Sequence, residues 1–425
     1  QAFALTSGRS QVAYILYNFG IRIYHLLFLC YSCINSKAAK IRIGRKQLIR
    51  YLGSTSSGLP TVWFHCSSLG EWEQTIPVVE RLKEKSNVQI LVSFYSSSGF
   101  EYAKRRDLVD AMIYLPVDFY KAYAPVFNTL NLVGISFTRY DIWPNLVRHA
   151  VDRNVPLFLI GAESASLRKY RRSNGFFAKM LRSFSFISCN TVSAATLLNN
   201  SGYRHVYTDG SSKLERSAQI AAQEYVNASL DSWRKDAFVI IGGSIWPPEA
   251  IMMERLFIEG AIENMKMILV PHEPSHDVIG ALQEKYKDTR VLFSQMDGNS
   301  TESKVIIMDK VGFLSKIYRF ADVAIVGGGF GKGIHNIAEP AASGLAVISG
   351  PNNSGFSEAA MLQDAGVYFP IETYKEFREL VIDFAENELK RKEIRTIANT
   401  FFNAQSEAAE RISQHIVDYA GITER

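Results

Sequence analysis

The sequence IVGGGFGKGIHNIAEPAASG, residues 325–344, carries an apolar strand into a turn with glycines at 327, 328, 329, 331 and 333, and then toward a helix. Glycines at that density let backbone N–H groups approach an anion, and the N-terminus of a following helix adds partial positive charge. The pattern is not a Walker loop, because Lys332 is followed by Gly333 where that motif requires Ser or Thr. Nor does it match the dinucleotide fingerprint GxGxxG with an acid about 20 residues on. The tail offers sugar-binding hydrogen bonds instead, since His335, Asn336 and Glu339 stand near the expected helix start. The stretch predicts a nucleotide held by its phosphate and its sugar, with Gly328, Gly329, Lys332, Gly333, His335, Asn336 and Glu339 as contacts.

Strand followed by helix is one unit of a longer alternation. Runs with strand character cover residues 61–65, 88–94, 112–115, 132–137, 156–161, 184–189 and 205–209. A second series covers 238–242, 267–271, 290–293, 305–308, 323–327, 346–350 and 367–370. The spacing predicts the α/β class with two Rossmann-like parallel-sheet domains. The expected organisation is a membrane-anchoring and basic segment over 1–50, a first domain over 51–215, a polar linker over 216–236 and a second domain over 237–400. Residues 401–425 close the chain, as the end of one long helix over about 390–419 that returns toward the first domain.

At 425 residues the chain exceeds one typical domain, and 47% apolar with 21% charged residues excludes a disordered polymer. The net charge of +5 is unevenly placed. Residues 1–70 hold eight cations and no acid, leaving 39 cations against 42 acids in the remainder. That local charge follows an apolar run of 23 residues, 12–34, long enough to span a bilayer. Gln11, Asn18, Arg22, His25 and Ser32 nevertheless fall on one helical stripe, which favours an amphipathic helix lying in the membrane interface over a spanning one. Six cations from Lys37 to Arg50 would attract anionic headgroups. No nucleic-acid partner is implied. Cys30 and Cys33 form a lone CxxC within the apolar run, read as packing, and Cys66 and Cys189 sit near strand ends, so a reducing cytoplasm suits all four.

The chemically suggestive residues collect where strands end, which is where open α/β sheets bind ligands. After 61–65 come Ser67, Ser68, Gly70 and Glu71, and Glu71 reads either as a helix-start acid or as a general base facing a cleft. After 132–137 come Arg139 and Asp141, ahead of Trp143 and Pro144. In the second series Ser244 precedes Trp246 and Glu249, and His272 and Glu273 follow 267–271. His65, His272 and His335 all occupy strand ends, but no HxxxH or paired cysteines support a zinc site, and no DxD supports a magnesium-held diphosphate, so neither metal nor cofactor is expected.

Together HCSSLGE (65–71), YDIWPN (140–145), GGSIWPPE (242–249), PHEP (271–274), the stretch 327–344 and GPNNSGFSEA (350–359) resemble the 3-deoxy-D-manno-octulosonic acid (Kdo) transferases of lipopolysaccharide synthesis. The resemblance runs over nearly the whole chain. It implies a GT-B glycosyltransferase, two domains facing a central cleft, that moves Kdo from CMP-Kdo to a lipid A precursor with inversion and without a metal. It implies the cytoplasmic face of the inner membrane as its place, with anionic lipids as a further partner. Glu71 would be the catalytic base. Ser67, Ser68, Gly70, Arg139 and Asp141 would meet the acceptor, and Ser244, His272 and Glu273 would join the 328–339 contacts on the donor. Cleft closure would exclude water.

This chain departs from the family pattern at three places. Arg139 stands where many members carry the first acid of ETELWPN, PHEP replaces PRHP, and GSSKLE (210–215) replaces a GDTRFD-like segment. Lys213, Arg168 or Lys332 are the cations that would replace the missing arginine. The alternatives are a sugar-nucleotide epimerase of the same fold, which has no use for a basic membrane helix, and a non-catalytic membrane-associated scaffold, which would bind no donor.

Overall fold

The computed structural model describes residues 8–53, 58–103, 108–164, 167, 175–298, 300–354 and 356–425. All fourteen expected strands are present, their ends shifted by no more than three residues. The first seven are β1 (Pro60–Cys66), β2 (Gln89–Phe94), β3 (Ala111–Tyr114), β4 (Asn131–Thr138), β5 (Leu157–Ala162), β6 (Phe186–Cys189) and β7 (Val206–Thr208). They form one parallel sheet in the order β3-β2-β1-β4-β5-β6-β7. The second sheet, also parallel, holds β8 (Phe238–Ile245), β9 (Met265–Pro271), β10 (Arg290–Leu292), β11 (Val305–Ile307), β12 (Val323–Val326), β13 (Ala346–Ser349) and β14 (Tyr368–Pro370), in the order β10-β11-β9-β8-β12-β13-β14.

Crossover helices cover both faces of a parallel sheet, so its strands read as near-continuous apolar runs. β1 shows this directly, being buried at every position from Thr61 to Cys66. Val62, Phe64 and Cys66 join Trp72, Ile76 and Val79 of the helix Leu69–Lys85 and Ile412 and Ile416 of the helix Ala408–Ala420. Trp63 turns to the other face, with Ile135, Phe137, Leu146 and Val147.

The chain divides into two compact units, Gln1–Arg216 with Glu407–Arg425, and Ser217–Ser406. Two boundaries differ from the sequence reading. The expected linker contains a helix, Ala228–Arg234, whose Leu230 and Trp233 are buried in the second unit's core, with Trp233 Nε1 donating to Ser303 O at 2.8 Å. The expected single closing helix is two, Glu388–Asn403 in the second unit and Ala408–Ala420 in the first. No strong helix breaker separates them. Tertiary contacts fix the second start, where the buried Glu215 carboxylate accepts from Ala409 N at 2.7 Å and Arg411 donates to Asp209 O. The segment 210–215 thus has a structural duty.

The N-terminal helix, Gly8–Tyr31, corrects the expected orientation of its polar stripe. Much of that stripe faces protein. Tyr14 OH donates to Asn145 Oδ1, Asn145 Nδ2 donates to Asn18 Oδ1 at 3.0 Å, and His25 meets the Phe119 ring edge-on at 5.5 Å. Tyr17 OH donates at 2.7 Å to Asp118, a buried carboxylate that also accepts from Tyr123 OH and from the N–H groups of Asn145 and Leu146. Apolar side chains occupy the outward side, with Ile15, Phe19, Leu26 and Leu27 each more than 60% exposed. The helix is long and apolar enough by length and composition to cross a membrane.

The next helix, Ser36–Lys46, is part of the folded unit. Its N-cap, Asn35, accepts from Ala38 N at 3.0 Å, and Ala38, Ile41 and Gly44 are buried. A Cβ on Gly44 would come within 2.1 Å of the Tyr114 ring. Arg45 donates to Leu115 O at 2.8 Å beneath the rings of Phe28 and Tyr95, so only five of the six expected cations remain for headgroups. Removing residues 1–35 should leave the first sheet folded but less stable, since it takes the Tyr17 donor from Asp118 and the Asn35 cap from the second helix. Removing 1–45 strips additional burial worth about 2–4 kcal/mol and should lower the melting temperature by a further 5–10 °C or so. Equal melting temperatures for the two truncations would show the second helix to be peripheral.

Candidate active site

Strand order reverses between β1 and β4 in the first sheet and between β8 and β12 in the second. Crevices at the carboxyl ends of such strand pairs are where open sheets bind ligands. Each unit carries a polar cluster there.

In the first unit, Ser68 caps the helix Leu69–Lys85, its Oγ accepting from Glu71 N at 3.3 Å, and the Glu71 carboxylate turns back to accept from Ser67 N. The helix-start reading of Glu71 is thus realised in geometry, yet only one of its oxygens is used in this way. Glu71 is 7% exposed, and burial pushes its carboxyl above the ordinary range. The Ser67 N–H, His65 and Arg139 oppose that shift, and Asp141 adds to it. Ser67 Oγ donates to Asp141 Oδ2, which lies 3.5 Å from His65 Nε2. Trp143 Nε1 donates to that same His65 nitrogen at 3.0 Å, which places the proton of a neutral ring on Nδ1, 2.9 Å from Ser93 Oγ. His65, Ser67, Glu71 and Asp141 are therefore brought together. Gly70 lies in the first turn of the helix. Arg139 turns aside, in a left-handed backbone conformation (φ 67°), and pairs with the buried Glu163 at 3.1 Å, whose other oxygen accepts from Asn190 Nδ2.

In the second unit the glycine turn differs from the expected cradle. Gly327 N donates to Gly243 O, Gly331 N and Gly333 N to Gly328 O, and His335 N to Gly327 O. Gly328 N donates at 3.0 Å to Oε1 of Glu249, a buried acid whose Oε2 accepts from Trp246 N. Among the described residues, the N–H groups of Gly329, Phe330 and Lys332 remain without such a bond. Glycine is required because backbone meets backbone, since a Cβ on Gly329 would lie 2.5 Å from Gly350 N. The helix that follows is only Ala338–Ala342, entered where Asn336 Oδ1 accepts from Ala338 N at 3.0 Å. The expected helix dipole does not reach the turn.

Around that turn three rings stack. His272 lies 4.2 Å from His335 and 4.7 Å from Trp246, centroid to centroid, and Trp246 Nε1 donates to His335 Nε2 at 2.9 Å. Burial and the neighbouring His272 hold the His335 pKa below its ordinary value, favouring the neutral acceptor ring that this hydrogen bond needs. Asn336 Nδ2 donates to Glu339 Oε1 at 2.8 Å. Ser244 sits at a break in the β8–β9 register with φ 52°, while Glu273 and Lys332 are exposed. Of the other two cations considered for the donor charge, Lys213 lies in the helix Ser212–Ala222 and Arg168 lies outside the described residues.

Asp118 and Glu163 were missed from sequence, and Glu249 was noted there only as a polar residue after a strand, without its role in holding the glycine turn. Only the capping spacing of Glu249, three residues after Trp246, was available there as a signal.

Known proteins match this chain in sequence and in fold. The model of the 3-deoxy-D-manno-octulosonic-acid transferase (kdotransferase) family matches residues 39–216. A 3-deoxy-D-manno-octulosonic acid transferase of Aquifex aeolicus is 26% identical over 342 residues, 79% of this chain and 88% of that protein. A bifunctional glycosyltransferase/methyltransferase of Fusobacterium nucleatum is 25% identical over 77% of this chain, which spans 53% of that longer protein. In fold, the UDP-GlcNAc 2-epimerase of Neisseria meningitidis superposes with a TM-score of 0.61 over 85% of this chain and 100% of its own, at 11% identity. That likeness concerns architecture alone, and it is the two-sheet arrangement of GT-B proteins. The family model covers residues 39–216, and relatives about one-quarter identical align over most of this chain, so the chain is similar in sequence to the Kdo transferases, a similarity that supports a glycosyltransferase.

Proposed function

We propose that this chain transfers Kdo from CMP-Kdo to a lipid A precursor at a membrane surface, with inversion and without a metal ion. The observation that carries the reading is Glu71. It is a buried carboxyl with a raised pKa at the β1–β4 crevice of the unit that presents the outward apolar helix. Transfer from a CMP-activated ketose develops positive charge on the sugar and negative charge on the leaving phosphate. Glu71 takes the proton of the acceptor hydroxyl as that oxygen attacks the anomeric carbon, and the bond to the CMP phosphate breaks on the opposite side. One displacement gives inversion. Ser67 holds Asp141 near Glu71, where its charge helps keep the base's pKa raised.

On the donor side, the N–H groups of Gly329, Phe330 and Lys332 and the Lys332 ammonium meet the phosphate. Gly328 and Gly333, at φ 91° and 136°, shape the turn. The half-exposed Trp246–His272–His335 stack offers ring faces for the base, and Ser244, Asn336 and Glu339 offer hydrogen bonds for sugar hydroxyls. Lys37, Lys40, Arg42, Lys46 and Arg50 bind anionic lipid, and the four cysteines are free, which suits the cytoplasmic face of an inner membrane.

Glu71→Gln keeps size and hydrogen bonding but removes basicity, so transfer should fall roughly 10²- to 10⁴-fold. Because a raised pKa leaves Glu71 protonated, and inactive as a base, over more of the acid range, the rise of kcat/KM with pH should sit above the ordinary carboxylate range and vanish in the variant. Retention of more than about a tenth of wild-type transfer, a barrier change under roughly 1.4 kcal/mol, would pass the role to Asp141. Glu339→Ala should weaken CMP binding by about 1–3 kcal/mol in calorimetry, the cost of leaving partners unpaired. Unchanged affinity would move the nucleotide elsewhere.

A further inference from the structure

We propose that the N-terminal edge of the first sheet carries a second binding site, for the phosphate of a lipid headgroup. A cavity of about 770 Å³ opens where β5, β6 and β7 begin, between Pro156, Ser185 and His205. Its lining includes Lys179, Arg182, Arg204 and His205, and among the described residues no Asp or Glu. Asn154 adds a hydrogen-bonding amide, and the partly exposed Tyr419 ring in the same lining suits a glycerol backbone. The cavity lies at the far end of the strands from Glu163 and Asn190, about 20 Å away for six parallel residues, so it is separate from the Glu71 cluster.

Cations near helix C-termini can simply answer helix dipoles. Three helices, Pro144–Asp152, Phe176–Leu181 and Val192–Asn200, end at this cavity. Their ends sum to about −1.5 charges against three full cations and a histidine. Positive charge is left over, and Arg182 and Arg204 are exposed, with no ion pair to an acid among the described residues. A lipid is favoured over a soluble phosphate by what the cavity wall touches. Lys179 Nζ donates to Ser10 Oγ at 2.7 Å, and the Phe176 ring lies 6.3 and 6.2 Å from Tyr14 and Tyr17. The wall helix is therefore the seat of the apolar N-terminal helix, beside exposed Val12, Ile15 and Leu16.

The test uses the full chain and the double variant Arg182→Gln/Arg204→Gln, with melting temperature checked first because both residues are exposed. Flotation with phosphatidylcholine vesicles, with and without one-fifth phosphatidylglycerol, gives the preference for anionic lipid. The double variant should lose about tenfold or more of that preference beyond the loss in a charge-matched control, Lys37→Gln/Lys40→Gln. Thermal melts with glycerol 1-phosphate form the second arm. Stabilisation that saturates in the wild type and disappears in the double variant also supports the site, and would assign it to a soluble phosphate as well. A double variant that matches the control on vesicles, with no variant-sensitive stabilisation by glycerol phosphate, overturns the proposal and leaves these cations to the helix ends.

Discussion

Parallel neighbours cannot be joined by a hairpin, because the chain must leave one end of the sheet and return outside it before the next strand begins. That single constraint fixes most of the layout of this molecule. Every strand ends at the same edge of its sheet, and where the order reverses the two flanking loops diverge and leave a crevice. His65, Ser67, Glu71 and Asp141 stand at such a point in one sheet, and Ser244, Glu249 and the glycine turn stand at the corresponding point in the other. The helix ends, with their opposite partial charge, collect at the far edge, which is why a basic cavity there is separate from the chemistry.

Two buried carboxylates serve as local organisers. Glu249 ties the strand end at Trp246 to the glycine turn through two backbone N–H groups, and so holds the turn's shape. Asp118 receives two phenol hydroxyls and two backbone N–H groups. Through it the N-terminal helix is fastened to the start of the helix Pro144–Asp152, immediately after Asp141 and Trp143. A carboxylate with four donors is satisfied despite burial, whereas loss of any one donor leaves a costly remainder. The N-terminal helix and the loop through Asp141 and Trp143 are therefore parts of one packed structure.

The architecture was legible in the sequence because both faces of each sheet are covered. Strands such as VWFH and AIV are apolar without interruption, and polar residues mark their ends. Glu71 and its neighbours were legible for the same reason, as the first polar residues after a strand. What could not be read depends on contacts between distant segments. Tyr17 and Asp118 are 101 residues apart, and nothing local at Asp118 announces the bond. The stripe of Asn18, His25 and Ser32 was visible by periodicity, but periodicity does not say whether protein, water or lipid lies opposite. The glycines at 327–333 suggest room for an anion, and their tight approach to Ser244 and Gly350 is invisible without the fold. The break between the last two helices has no breaker residue and comes from the Glu215 contact with Ala409.

The proposed function assigns the nucleotide to the second unit, at the uncommitted N–H groups of its glycine turn, and the acceptor to the Glu71 crevice. Hydrogen exchange of the full chain with and without saturating CMP tests it most directly. Exchange should slow at Gly329, Phe330 and Lys332 and in the segment through Glu339, with residues 67–71 and 139–141 unchanged. Slowing at 67–71 with none in the turn would contradict the account.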